Sequence, residues 1–141
     1  MSRRSLHAVA ATIVLAATVA GCAQSRADDT TSPAACLAQK QSAGLTVQFT
    51  TSPCPAQGGT ATTAQVTIKD SAGALVQDAA VKVNYDMPSM NMHGGEQSAT
   101  RNGDAYESRL VLGMSGVWVV NVQVSRGSGA PAAVRFDVKA K

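Results

Sequence analysis

The chain has 141 residues, which is enough for one domain, and a formal net charge of +3. Its 12 Lys and Arg residues only slightly outnumber its 9 Asp and Glu residues and form no stripe interleaved with aromatic side chains, so charge gives no support for nucleic-acid binding. The sequence has neither a paired-carboxylate arrangement nor a Ser/His/Asp order, which argues against an enzyme.

Residues 1–21 have the features of a bacterial export signal. Two arginines near the start precede Ala8 to Ala20, a run of small and apolar residues shorter than the about 20 that a membrane span needs. The run ends in Val19-Ala20-Gly21-Cys22, which resembles a lipobox, the motif whose cysteine is lipidated and becomes the new N-terminus. We therefore predict a lipoprotein signal peptide and lipidation of Cys22, with a plain secretory signal as the alternative.

The rest of the chain is predicted to be a tether and one domain. Residues 22–35 are small and polar and show no periodicity, as expected of a flexible linker. Residues 36–141 carry the alternating pattern described below. The predicted location is the cell envelope, outside the cytoplasm, where the lipid on Cys22 holds the protein to a membrane.

Cys36 and Cys54 are the cysteines of the predicted domain. In an exported protein such a pair is most often a disulfide. Closing this loop would stabilise the fold by roughly 3 kcal/mol in the chain-entropy model. The alternative is that one or both thiolates bind a metal, although the spacing is longer than that of a CxxC site.

From residue 45 onward apolar and polar residues alternate, which is typical of strands with one buried face, and no segment has a helical period. Seven strands with short turns predict an all-β fold, an immunoglobulin-like β-sandwich, with a closed barrel as the alternative. Trp118 is the expected centre of the core. The predicted strands are 45–51, 64–69, 81–85, 97–100, 106–112, 118–124 and 134–138. The predicted inward-facing residues are Leu45, Val47, Phe49, Val66, Ile68, Val81, Val83, Leu110, Leu112, Trp118, Val120, Val122, Val134 and Phe136.

The segment 86–96 between two of these strands has unusual chemical character. It holds Met87, Met90, Met92 and His93 within seven residues. Thioether sulfur and imidazole nitrogen are soft to borderline donors, and together they favour Cu(I) over hard cations. Ag(I) suits the same donors. If the loop is extended, Met90 and Met92 would face one side, and His93 could close a third position.

The order of the strands predicts where the methionines lie. In a sandwich of alternating strands, the first, third and fifth connections share one end of the domain, and they contain Cys54, the segment Met87 to His93, and Met114. All the methionines of the mature chain would then lie at that end and none on the inward face of a strand. Met114 is therefore a further predicted ligand. Packing beneath the loop, oxidation at exposed sulfur and contact with a partner are the alternatives.

Spaced residues along the domain resemble the YtkA-like/FixH-like family of extracytoplasmic domains. The residues that carry the resemblance are Asp70, Gly73, Val76, Ala79, Val81, Tyr85, Met87, Pro88, Met90, Gly116 and Trp118. The resemblance covers roughly residues 36–139. It implies a small immunoglobulin-like sandwich linked to copper handling or to assembly of copper-containing respiratory oxidases. Members often carry Met and His after the Met-Pro pair, as Met92 and His93 do here. FixH-like proteins usually have a transmembrane helix, so the predicted lipid anchor favours a free-standing lipoprotein.

These observations predict a lipid-anchored protein that buffers Cu(I) or exchanges it with a copper-donating or copper-receiving envelope protein. The predicted metal ligands are Met87, Met90, Met92, His93 and Met114. Binding should weaken below about pH 6, when an imidazole protonates, while thioether ligation persists. The alternative is a non-enzymatic envelope interaction or assembly-accessory module that uses the same segment without metal.

Overall fold

Alternating side chains produce nine strands in the computed structural model, which describes residues 30–31 and 36–141. The strands are β1 (Thr30–Thr31), β2 (Leu37–Ser42), β3 (Leu45–Ser52), β4 (Ala61–Lys69), β5 (Ala80–Met87), β6 (Met92–Asn102), β7 (Ala105–Val111), β8 (Gly116–Ser125) and β9 (Ala132–Ala140). A 3₁₀-helix, Pro88–Met90, joins β5 to β6. The predicted signal peptide and Cys22 lie outside the described residues. In the part of the chain that the structure describes, no helix is long and apolar enough to cross a membrane.

The strands are arranged in the order β1-β2-β3-β4-β7-β6-β5-β8-β9, and the named strand pairs are antiparallel. The sheet folds over at β6, whose first part pairs with β5 and whose last three residues pair with β7. Layers β2-β3-β4-β7 and β6-β5-β8-β9 then face each other, and the rings of Phe49 and Phe136 stack between them at 4.9 Å. The predicted immunoglobulin-like sandwich is confirmed.

The core contains the residues that alternation predicts. Of the predicted inward set, all are buried except Leu45, which is partly exposed near the start of β3. Trp118 is buried, and its ring lies 6.0 Å from the ring of Tyr85. Each fully buried Val, Leu, Ile, Phe or Met side chain contributes about 1.5–3 kcal/mol relative to its exposed state. The inward faces therefore hold the two layers together.

Strand β2 was not predicted, because its sequence Leu-Ala-Gln-Lys-Gln-Ser has small and polar residues where an apolar face would be needed. It forms because its whole length pairs with residues 45–50 of β3. At the open end of this hairpin the predicted disulfide is present, with the Cα atoms of Cys36 and Cys54 5.6 Å apart. The backbone N–H of Thr51 also donates to the carbonyl of Cys36 at 3.0 Å. The disulfide therefore fixes the connection after β3 to the start of β2.

Candidate functional site

Three connections meet at one end of the sandwich, as the strand order predicts. They are residues 53–60 after β3, 88–91 after β5 and 112–115 after β7. The N–H of Gly59 donates to the carbonyl of Leu112 at 2.6 Å, which joins the first connection to the third in this group. A Cβ on Gly113 would lie 3.8 Å from Cε of Met92, at the start of β6. The predicted grouping of the methionine-bearing connections is confirmed.

Met87 corrects one expectation, because it lies on the inward face of a strand. Strand β5 continues two residues beyond its predicted end, so the buried series of Val83 and Tyr85 extends to Met87, which is 2% exposed. A Cβ on Gly116 would lie 2.9 Å from Cε of Met87 and 3.7 Å from its Sδ. The prediction that no methionine would face inward was wrong for this residue and for Met92, which is paired with it and packs against the core. Met87 forms the floor of this end of the core.

Met92 lies beside Met87 across the two strands. The two residues are directly paired in the register of β5 and β6. Directly opposed residues of an antiparallel pair share a face, with Cβ atoms about 4.5–5.5 Å apart. Met92 is partly buried against the core, and its side chain reaches Gly113 in the connection that carries Met114. The structure therefore brings the side chains of Met87 and Met92 to the same face.

Met90 and Met114 are the exposed methionines at this end. Met90 ends the 3₁₀-helix and is 58% exposed, and Met114 is 38% exposed. Asn91 adopts a left-handed conformation with φ of 51°, and its N–H donates to the carbonyl of Pro88 at 3.2 Å. The loop is not extended, because a helical turn reverses the chain here. Met90 therefore does not alternate with Met92 along one strand face.

His93 lies on the opposite face of β6 from Met92, since successive residues of a strand point to opposite faces. It pairs with Asp86, and its Nδ1 lies 3.0 Å from a carboxylate oxygen of that residue. Its side chain is 85% exposed. On the same surface Lys82 contacts Glu96 at 3.0 Å. The structure thus separates the imidazole from the thioethers of Met87 and Met92.

The backbone around Met114 is held by two contacts. The indole N–H of Trp118 donates to the Met114 carbonyl at 3.0 Å. A Cβ on Gly58 would lie 2.6 Å from the carbonyl carbon of Met114 and from the nitrogen of Ser115. Because only glycine fits there, the connection after β3 packs directly on the Met114 backbone. This close packing gives Met114 a defined backbone position.

The donors gathered at this end are thioethers. Among the residues that the structure describes, no group of three or more His, Cys, Asp and Glu side chains could hold a metal ion. Cys36 and Cys54 are joined to each other, so their thiolates are not free donors in this state. The sulfurs of Met87, Met90, Met92 and Met114 are the soft donors that the fold places near these connections.

A family model described as YtkA-like matches residues 39–123. The chain belongs to the YtkA-like family. The match runs from β2 into β8 and includes the four methionines described above together with His93. No curated protein matches the chain. The resemblance predicted from the spaced motif is confirmed.

Sequence reasoning missed the glycines that shape this YtkA-like domain. A Cβ on Gly94 would overlap the ring of Tyr85, and it would lie 2.7 Å from the Tyr85 carbonyl oxygen. Gly94 is the extra residue of a register shift in the pairing of β5 with β6. Gly58 and Gly116 permit similarly close approaches to Met114 and Met87. Their turn-like composition was visible in the sequence, but the contacts are between distant segments.

Proposed function

We propose that this protein binds Cu(I) outside the cytoplasm, held to a membrane by a lipid on Cys22, and that it buffers the ion or exchanges it with another envelope protein. One observation carries the proposal: Met90 and Met114, in two of the connections, and Met92, at the start of β6, lie at the same end of the domain as the buried Met87. Such a position on a rigid sandwich suits capture and release of an ion. It offers thioether side chains to the solvent.

The exposure of the methionine residues supports different roles for the predicted ligands. Met90 and Met114 are open to solvent and can meet an incoming ion, while Met92 is partly buried beside Gly113. Met87 is buried beneath Gly116, so its sulfur would require local movement to reach a metal. We therefore propose Met90, Met92 and Met114 as the principal ligands. The membership of Met87 in the ligand set depends on that movement.

His93 is not one of the principal ligands in the proposal. Its imidazole leaves the face of β6 opposite to Met92 and contacts Asp86. Ligation of one ion by both residues would require β6 to rearrange. We therefore expect the His93→Gln variant to keep most of the Cu(I) affinity. A large loss of affinity in that variant would instead make His93 a principal ligand.

A competition titration with a chromogenic Cu(I) chelator under anaerobic, reducing conditions that leave the disulfide intact tests the proposal. We expect one Cu(I) per chain, and an affinity lowered about 100-fold or more when Met90, Met92 and Met114 are replaced by leucine together, since each lost soft donor weakens the site. A matched control adds Leu75→Met to the triple variant. Leu75 has the same 38% exposure as Met114 but lies in the connection after β4, and the control should restore no affinity.

Exposed methionine also suits a second candidate, an envelope interaction module that uses no metal. Methionine side chains adapt to varied partners, and Met90 is the most exposed of the large apolar side chains that the structure describes. The same titration separates the two candidates. Wild-type protein that fails to compete for Cu(I) at micromolar concentrations would favour the interaction module.

A further inference from the structure

The disulfide lies close in sequence to the segment that packs on Met114. Cys54 precedes Gly58 by four residues in the connection after β3. Between them Ala56 is buried, and its carbonyl accepts the N–H of Lys141 at 2.9 Å. The N–H of Gly58 donates to the carbonyl of Lys141 at 2.8 Å. This short stretch is therefore bound to the end of β9 while its first part is bound to Cys36.

The segment from Cys54 to Gly59 also contacts the connection that carries Met114. Gly59 donates to Leu112, and the backbone of Gly58 has no room for a side chain against Met114. The Trp118 indole N–H also donates to the Met114 carbonyl. A displacement of Gly58 would therefore change where the Met114 backbone lies relative to Met92.

We propose that the Cys36–Cys54 disulfide is a positioning element of the thioether site and acts through Gly58 on Met114. This inference rests on the proposed function, because it concerns the affinity of the same site. The disulfide holds Cys54 to the start of β2, and Thr51 fixes Cys36 through a backbone hydrogen bond. Without the covalent link, the segment from Cys54 to Gly59 is held only by its backbone hydrogen bonds and by the packing of Ala56 and Gly58. Met114 then occupies a broader range of positions and binds the ion less tightly.

A double-mutant cycle on the full-length protein tests the inference. The disulfide is removed by Cys36→Ser with Cys54→Ser, because serine leaves no thiol to bind Cu(I) itself. We expect the Cu(I) affinity to fall about tenfold, which corresponds to a coupling free energy of about 1.4 kcal/mol. In a Met114→Leu background the same pair of substitutions should leave the affinity unchanged. Trp118 fluorescence and near-ultraviolet circular dichroism check that each variant is folded.

A second variant disturbs the contact between Gly58 and the Met114 backbone without changing the cysteines. Gly58→Ala introduces a Cβ into the backbone of Met114 and Ser115, and we expect it to weaken Cu(I) binding with the disulfide intact. Gly129→Ala is the matched control, since its Cβ would make only an ordinary contact of 3.6 Å in the turn between β8 and β9. That control should bind like the wild type.

The outcomes separate this inference from the function on which it rests. Wild-type binding that is lost on joint replacement of the methionines but is kept in both the serine and the Gly58→Ala variants would overturn the positioning role and leave the function standing. An equal loss with and without Met114 would also overturn it, because the disulfide would then act through general stability. A wild-type protein that binds no Cu(I) would refute both.

Discussion

Two glycine positions and two hydroxyls show how closely single residues are fitted in this domain. Gly58 and Gly94 each lie where a methyl group would collide with another segment. The hydroxyls of Thr62 and Ser108 are buried without a hydrogen-bond partner among the described residues. Close packing of this kind makes small changes costly, and an unpartnered buried hydroxyl is itself a source of instability.

Gly94→Ala should destabilise the fold. The new Cβ would overlap the Tyr85 ring and approach the Tyr85 carbonyl oxygen to 2.7 Å, and neither the packed ring nor the backbone can move freely. We expect the free energy of unfolding to fall by about 1–3 kcal/mol, the usual cost of overpacking. Urea denaturation followed by Trp118 fluorescence measures it, with Gly129→Ala as the control. An unchanged midpoint would mean that the ring of Tyr85 is loosely held.

Thr62→Val should stabilise the protein. Valine has nearly the shape of threonine but lacks the hydroxyl that is buried without a partner on the inward face of β4. Removal of the unpartnered hydroxyl should raise the free energy of unfolding by about 1 kcal/mol. The measurement is again chemical denaturation. A loss of stability would show that the hydroxyl is satisfied by a bound water.

At the scale of elements, alternation predicted seven strands because their inward and outward sides differ in polarity. It failed for β2, whose small and polar residues form a strand only by pairing with β3. The predicted β5 also ended too early and the predicted β6 began too late, since Pro88 and two glycines in segment 86–96 indicated a loop. Pairing of Met87 with Met92 across the 3₁₀-helix overrides those local signals.

Hydrogen bonds on the outer face of β4, β7 and β6 allow the pairing of β7 with its two neighbours to be tested. The side-chain amides of Gln65 and Asn102 donate to the two carboxylate oxygens of Glu107, at 2.7 and 2.9 Å. These hydrogen bonds, first that of Asn102 and then that of Gln65, lower the pKa of Glu107 below its ordinary value. We expect Asn102→Ala to raise this pKa, as measured by carbon-13 NMR titration of the carboxyl group.

The lowered pKa of Glu107 also makes the stability of the fold depend on pH. Because the folded state binds the proton of Glu107 less readily than the unfolded state, the stabilising contribution is present above the unfolded-state pKa and is lost as pH falls through the folded-state pKa. The Asn102→Ala variant should therefore lose less stability on acidification than the wild type. Identical acid profiles and an unchanged Glu107 pKa would contradict the assigned hydrogen bonds.

At the scale of the whole molecule, connectivity allowed the location of the methionines to be predicted before their contacts were known. Strands that alternate in direction send every second connection to the same end, and this placed Met114 near the segment 86–96. The inward position of Met87 and the outward position of His93 could not be predicted, because they depend on where β5 and β6 end and on the register shift beside Asp86. The proposed ligand set is therefore centred on Met90, Met92 and Met114.

The most direct measurement is NMR of the protein labelled with carbon-13 at the methionine methyl groups, titrated with Cu(I) under anaerobic conditions. We predict that the Met90, Met92 and Met114 methyl signals shift together and stop shifting at one ion per chain, while the His93 ring signals change little. Ag(I) should reproduce the pattern because it prefers the same soft donors. Methyl signals that do not respond to either ion, or a response confined to His93, would contradict the proposed thioether site.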